Sequence, residues 1–98
     1  MIAEKQGASD AVVVLGGHYD SVAGISGAND NGSGTAVLLT IAKMLADVDL
    51  PFALIDVPFG AEELGLLGSR HYVDSFTEVE SDQTKTCLIS THFALVQA

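Results

Sequence analysis

The apolar positions fall into a few dense runs separated by polar, glycine-rich breaks. Residues 11–17, AVVVLGG, are β-branched and apolar without polar alternation and end in two glycines. A run of that kind predicts a strand covered on both faces. Residues 24–34, GISGANDNGSG, predict a loop with several positions suited to positive φ. Residues 35–46, TAVLLTIAKMLA, predict a helix that is apolar nearly all round, interrupted by Thr40 and Lys43. Such a helix is expected to be buried on more than one side. Asp47 to Pro51 closes it, and Phe52 to Phe59 predicts a second buried strand. A turn over Gly60–Leu64 follows. Leu64, Leu67, Tyr72, Val73 and Phe76 then recur at helical spacing. After an acidic link, Thr86 to Phe93 predicts a third strand. The order is β-α-β-α-β, with crossovers long enough for parallel pairing: an α/β fold within a single domain over residues 1–98. Three strands and two helices leave sheet edges open, so self-association through those edges is an expected mode of contact.

Composition sharpens this picture. The 98 residues are 48% hydrophobic, rich for a small free-standing domain and better suited to part of a larger interior. A net charge of −9 with four Lys and Arg excludes a nucleic-acid partner, because phosphate binding needs basic side chains. Much of the acidity belongs to a solvated link carrying Asp74, Glu78, Glu80 and Asp82. Cys87 is the only cysteine, which excludes an internal disulfide and a cysteine-rich zinc knuckle. Any metal would be held by His and carboxylates, the ligand mix of catalytic sites. The N-terminus lacks the basic-then-apolar order of a secretory signal. No stretch approaches the ~18 apolar residues of a membrane span. The chain reads as soluble, with no membrane partner.

Three clusters carry candidate chemistry, each just after a predicted strand or in the loop beside one, where open α/β sheets bind ligands. His18-Tyr19-Asp20 follows the first strand. A ligating imidazole commonly donates its other N–H to a carboxylate, and Asp20 is close enough to serve. Asp30 lies in GANDNGSG; it either makes a turn leading into the helix or offers a carboxylate able to bridge two cations. Asn31-Gly32-Ser33 matches a glycosylation sequon, discounted because this loop would face the site. Glu62-Glu63 follows the second strand. The pair either complements a helix dipole or divides two tasks, one glutamate binding metal while its neighbour serves as general base. Dinucleotide, phosphate-loop, nucleophile-elbow and calcium-loop patterns are all incomplete here.

Taken together, GGHYDSV at 16–22, GANDNGSG at 27–34 and GAEELGLLGSRHYV at 60–73 resemble the family-28 metallopeptidases, the di-zinc aminopeptidases of bacterial type. The resemblance covers roughly residues 10–76, with the motifs in the family's order. It implies a three-layer α/β/α domain with a mostly parallel sheet, of the phosphorylase/hydrolase-like type, present here as a β-α-β-α-β fragment. It implies a peptide substrate and zinc as cofactor, two ions in the family and one or two here. By resemblance His18 binds one zinc, Asp30 bridges both, Glu63 binds the second, Glu62 is the general base and Asp20 orients His18. It also implies a cis peptide after Asp30.

Two departures stand out. Where the family's third strand ends in Asn-x-Asp, this chain has CLISTHF at 87–93, placing His92 at the position of a ligating aspartate. Imidazole is a competent zinc ligand, so His92 joins the candidates. The family's last ligand, a downstream histidine, lies in a segment these residues do not include. His71 matches no ligand position and is expected at the surface. The reading is a zinc-dependent aminopeptidase removing N-terminal residues, or a silent remnant of one with weak or single zinc binding. A flavodoxin-like binding module would explain the fold but not the convergence of His18, Asp30 and Glu62-Glu63. Relatives in the family are often exported.

Overall fold

The structure is a computed structural model that describes residues 2–76 and, as backbone, residues 84–88. Its centre is β2 (Val12–His18), paired in parallel with β3 (Ala53–Phe59) on one side and with β4 (Thr84–Leu88) on the other. In register, Val12 lies opposite Ala53 and Thr84, and His18 opposite Phe59. A short strand, β1 (Ala3–Lys5), adds antiparallel to β3, giving the order β1-β3-β2-β4. The sheet is therefore mixed, and one edge expected to be open is covered by β1. With only Ala-Glu-Lys to show, β1 has no apolar pattern of its own; its pairing with β3 defines it.

The apolar runs of β2 and β3 serve two faces because successive strand side chains point to opposite sides. Val14, Val57 and Phe59, with Val12 and Ile55, pack on the face of α2 (Leu67–Asp74) through Tyr72. The Phe59 and Tyr72 rings meet edge to face at 5.6 Å. On the other face Leu15 and Leu54 pack with Leu38, Ile41 and Leu45 of α1 (Ser33–Leu45). The sheet thus lies between one helix on each side, as the α/β reading expects. The burial of α1 is narrower than its composition suggests. Leu38 is buried, whereas Val37, Leu39 and Met44 are 44%, 60% and 70% exposed among the described residues.

The second helix begins later than its apolar spacing predicts. Gly65 (φ 102°) and Leu66 (φ 61°) both adopt left-handed backbone, which no α-helix tolerates, so α2 starts at Leu67. The third strand is placed at Thr84–Leu88, so the later part of the predicted 86–93 run, with His92, lies outside the described residues. Among the described residues no helix is long and apolar enough to cross a membrane.

One residue of β3 conflicts with its surroundings. Asp56 is buried, and its Oδ1 has no hydrogen-bond partner among the described residues. Burial pushes its carboxyl pKa up from the usual 3.8.

Two outcomes follow for stability. Leu38→Ala should cost about 2–5 kcal/mol, read from urea unfolding, because it empties the contact joining α1 to the sheet; a cost below about 1 kcal/mol would contradict this packing. Because folding raises the Asp56 pKa, its ionised form weakens the fold. Stability is unaffected by this group below pH 3.8 and declines as pH rises through the folded-state value. Asp56→Leu should therefore be more stable than the unmodified chain at pH 7, by about 1–3 kcal/mol. That advantage should shrink in unfolding curves taken near pH 3.

Candidate metal centre

The carboxyl ends of β2 and β3 and the loop before α1 converge on His18. The last residue of β2, it is 3% exposed. Its main-chain carbonyl accepts hydrogen bonds from Asn31 Nδ2 at 3.2 Å and Thr35 Oγ1 at 3.1 Å, which tie the strand end to the start of α1. Its ring Nδ1 lies 3.1 Å from the Asp20 main-chain carbonyl and 3.6 Å from Asp20 Oδ1. The tautomer with the hydrogen on Nδ1, donated to the Asp20 carbonyl, is the one that leaves a lone pair at Nε2. Nε2 in turn lies 3.1 Å from Asp30 Oδ1 and 3.8 Å from Glu62 Oε2. A lone pair and two carboxylates so arranged call for a positive centre among them.

Asp30 is carried by a wide helical turn over Ala28–Gly32 whose backbone leaves helical geometry at Asp30 and Asn31. The peptide bond between them is cis, as the resemblance implies. Asn31, 1% exposed, holds this turn in place. Besides its bond to His18, its Oδ1 accepts from Gly34 N–H at 3.1 Å. A Cβ on Gly34 would overlap the Asn31 side-chain amide, so glycine is required there. Asn31 is a residue the motif reading passed over except as a sequon. Its only signal was its place between a candidate ligand and a glycine.

Glu62 and Glu63 do not occupy the first turn of α2, so the helix-dipole explanation for them falls away. They sit in a separate turn entered through Ala61 (φ 58°) and closed by hydrogen bonds from Gly65 and Leu66 N–H to the Glu62 carbonyl, both 2.9 Å. The Asp20 carboxylate spans from β2 to this turn. Oδ1 accepts from Glu62 N–H at 3.1 Å and Oδ2 from Glu63 N–H at 3.2 Å. Burial pulls the Asp20 carboxyl pKa up, but these two amides, its own amide and nearby His18 together outweigh that and leave it lowered.

The sequence candidates are therefore largely brought together. His18, Asp30 and Glu63 each offer a ligand atom, and these atoms lie within 4.8 Å of one another. One imidazole and two carboxylates match the donor types that zinc accepts, with room for a fourth ligand. Glu62 borders the cluster through its approach to His18. His71 is exposed on α2, as expected. His92 lies outside the described residues.

Gly34→Ala should displace Asn31 and release both the His18 carbonyl and the Asp30 turn. The expected cost is about 1–3 kcal/mol in unfolding measurements, within the range for overpacking. Unchanged stability would show that the turn tolerates a side chain here.

Comparison with known proteins points to a peptidase family. The sequence profile of Peptidase family M28 matches residues 1–90. Aminopeptidase YwaD of Bacillus subtilis (strain 168) is 54% identical over 69 residues, covering 70% of this chain and 15% of that protein. Leucine aminopeptidase 2 of Trichophyton equinum is 45% identical over 89 residues, covering 90% of this chain and 18% of that protein. Among solved structures, BSAP, a zinc aminopeptidase from Bacillus subtilis, superposes with a TM-score of 0.84 at 43% identity, covering 89% of this chain and 22% of its own. The aminopeptidase from Aneurinibacillus sp. strain AM-1 gives 0.86 at 35% identity, covering 89% and 23%. The chain thus spans less than a quarter of each of these proteins.

Proposed function

The chain belongs to peptidase family M28, and from that premise we propose that it supplies the zinc ligands and general base of an aminopeptidase acting on the N-terminal residue of peptides. The observation that carries this reading is the meeting of His18, Asp30 and Glu63 within 4.8 Å, with Glu62 beside them. The donor chemistry fits zinc: His18 Nε2, freed by the Nδ1 contact to the Asp20 carbonyl, and the carboxylates of Asp30 and Glu63 would hold the ion.

A zinc ion bound there supplies Lewis acidity, polarising a carbonyl oxygen and acidifying water. The chain's own residues do the rest. Glu62 is close to the cluster but is not among the three converging donors, so its carboxylate is available to take a proton from water and return it to the departing amine. Asp20, by accepting both amides of the glutamate pair, keeps the base and the ligand at fixed separation from His18. The carbonyl of Asp20 holds the imidazole in the tautomer that presents Nε2.

A second reading has one observation in its favour. The described residues furnish three donors, enough for one tetrahedral ion with an open position. A second ion, which the resemblance would place on Asp30 and Glu63, would lack the downstream histidine, and His92, the candidate to join His18 and Asp30, lies outside the described residues. On this reading the chain binds a single zinc and is catalytically silent.

Calorimetric zinc titration combined with turnover of leucine amide substrates separates the two. The aminopeptidase reading expects zinc-dependent turnover, and expects Glu62→Gln to bind zinc with unchanged affinity while losing about 10²–10⁴-fold in rate. Full activity in that variant would remove Glu62 from its role. Zinc binding without turnover in the unmodified chain would favour the silent reading, and no zinc binding by folded chain would end both.

A further inference from the structure

Asn31-Gly32 carries chemistry that the metal-ligating cluster does not use. The chain has two asparagines, Asn29 and Asn31, and only Asn31 is followed by glycine. With no side chain on the following residue, nothing shields Asn31 Cγ from the Gly32 main-chain nitrogen once the backbone is free to turn. Attack there forms an N–Cγ bond and breaks the bond from Cγ to the side-chain nitrogen. The amide proton of Gly32 leaves with that nitrogen as ammonia, and a cyclic succinimide remains. Water then adds across one of its two C–N bonds. The product is either an aspartyl residue at position 31 or an isoaspartyl link, in which the chain continues through the side-chain carboxyl.

The fold opposes each part of this route. Asn31 is 1% exposed. Its Nδ2, the leaving group, donates to the His18 carbonyl at 3.2 Å, and its Oδ1 accepts from Gly34 N–H at 3.1 Å. The Gly32 N–H that must be lost donates to the Gly27 carbonyl at 2.7 Å. Ring closure requires the Gly32 nitrogen to eclipse Asn31 Cβ, a rotation about the Cα–C bond away from its ψ of 42°. Gly32 has right-handed helical backbone (φ −58°, ψ −35°) where the Ala28–Gly32 turn runs into α1, so that rotation unwinds the junction. We propose that Asn31 is a deamidation site latched by the fold: opening of the Ala28–Gly32 turn releases it, and the product cannot take the same seat. An aspartyl carboxylate there has acceptors only, so the donor to the His18 carbonyl is lost and a charge is buried beside it. An isoaspartyl link lengthens the main chain by one carbon and moves Gly32 N–H off the Gly27 carbonyl. Opening of the turn that carries Asp30 is thereby coupled to irreversible loss of its anchor. The inference does not rest on the peptidase reading.

The test is incubation of the 98-residue chain in mildly alkaline buffer with and without unfolding urea, reading deamidation at Asn31 by peptide mass spectrometry. The reaction should be at least tenfold slower in buffer, and at intermediate urea its rate should follow the unfolded fraction. Gly34→Ala, which disturbs the seat of the amide, should raise the rate in buffer at least threefold. Gly32→Ala should slow the reaction in urea at least tenfold. Chain deamidated in urea and returned to buffer should not recover the unfolding midpoint of the unmodified chain. A difference between buffer and urea below tenfold, reaction chiefly at Asn29, an unchanged rate in Gly32→Ala, or full recovery by the deamidated chain would overturn the proposal. Should Gly34→Ala fail to fold, the comparison of buffer with urea on the unmodified chain still decides.

Discussion

The Asp20 carboxylate ties the end of β2 to the turn carrying Glu62 and Glu63, just beyond the last ladder bond, from Tyr19 N–H to the Phe59 carbonyl. From the end of β2 it accepts the main-chain amides of Glu62 and Glu63, more than forty residues away. Parallel strands deliver their carboxyl ends to one side of the sheet, but they do not by themselves set the distance between a strand end and the loop beyond its neighbour. Two hydrogen bonds to one ionised group do so, and charge-assisted bonds of this type are stronger than neutral ones. The turn they hold is entered through left-handed backbone at Ala61, an arrangement a non-glycine residue adopts only when its surroundings fix it. Once that turn is fixed, both glutamate side chains start from a known place relative to His18.

Around this join the molecule concentrates like charges. Asp20, Asp30 and Glu62 all lie within 4 Å of one imidazole, and Glu63 lies close by. Such a cluster is costly without a cation. The main-chain amides support Asp20, whereas the carboxylates of Asp30 and Glu62 approach the imidazole at Nε2. The site is thus built in two layers: acceptors satisfied by the backbone, which set position, and acceptors aimed at a shared point, which suit a metal ion. Asn31 belongs to the first layer, since its amide fastens the Asp30 turn to the His18 carbonyl.

Much of this was legible in the sequence because it is written in runs and breaks. β2 opens on an unbroken apolar stretch and β3 is interrupted only by Asp56, as strands covered on both faces require. The three motifs marked His18, Asp30 and Glu62-Glu63, and the fold brings those residues together. What was not legible depends on partners rather than on local pattern. β1 is three residues whose identity as a strand comes from pairing with β3. The start of α2 was misplaced because apolar spacing does not register the left-handed backbone of Gly65 and Leu66. The apolar circumference of α1 suggested burial on more than one side, yet Leu39 and Met44 are exposed among the described residues. His18-x-Asp20 suggested a carboxylate serving an imidazole. The nearer acceptor is the Asp20 carbonyl, and the carboxylate is occupied by amides from a distant turn, a division that spacing in sequence cannot encode.

The proposed metal centre requires His18, Asp30 and Glu63 to share one cation. X-ray absorption at the zinc edge of the zinc-loaded chain reads those ligands most directly. The expected spectrum shows imidazole scattering from one nitrogen at about 2.0–2.1 Å, with the remaining ligands oxygen at about 2.0–2.2 Å; His18→Ala should remove the imidazole component. A zinc ion surrounded by oxygen alone in the unmodified chain, or an imidazole signal that survives His18→Ala, would contradict it.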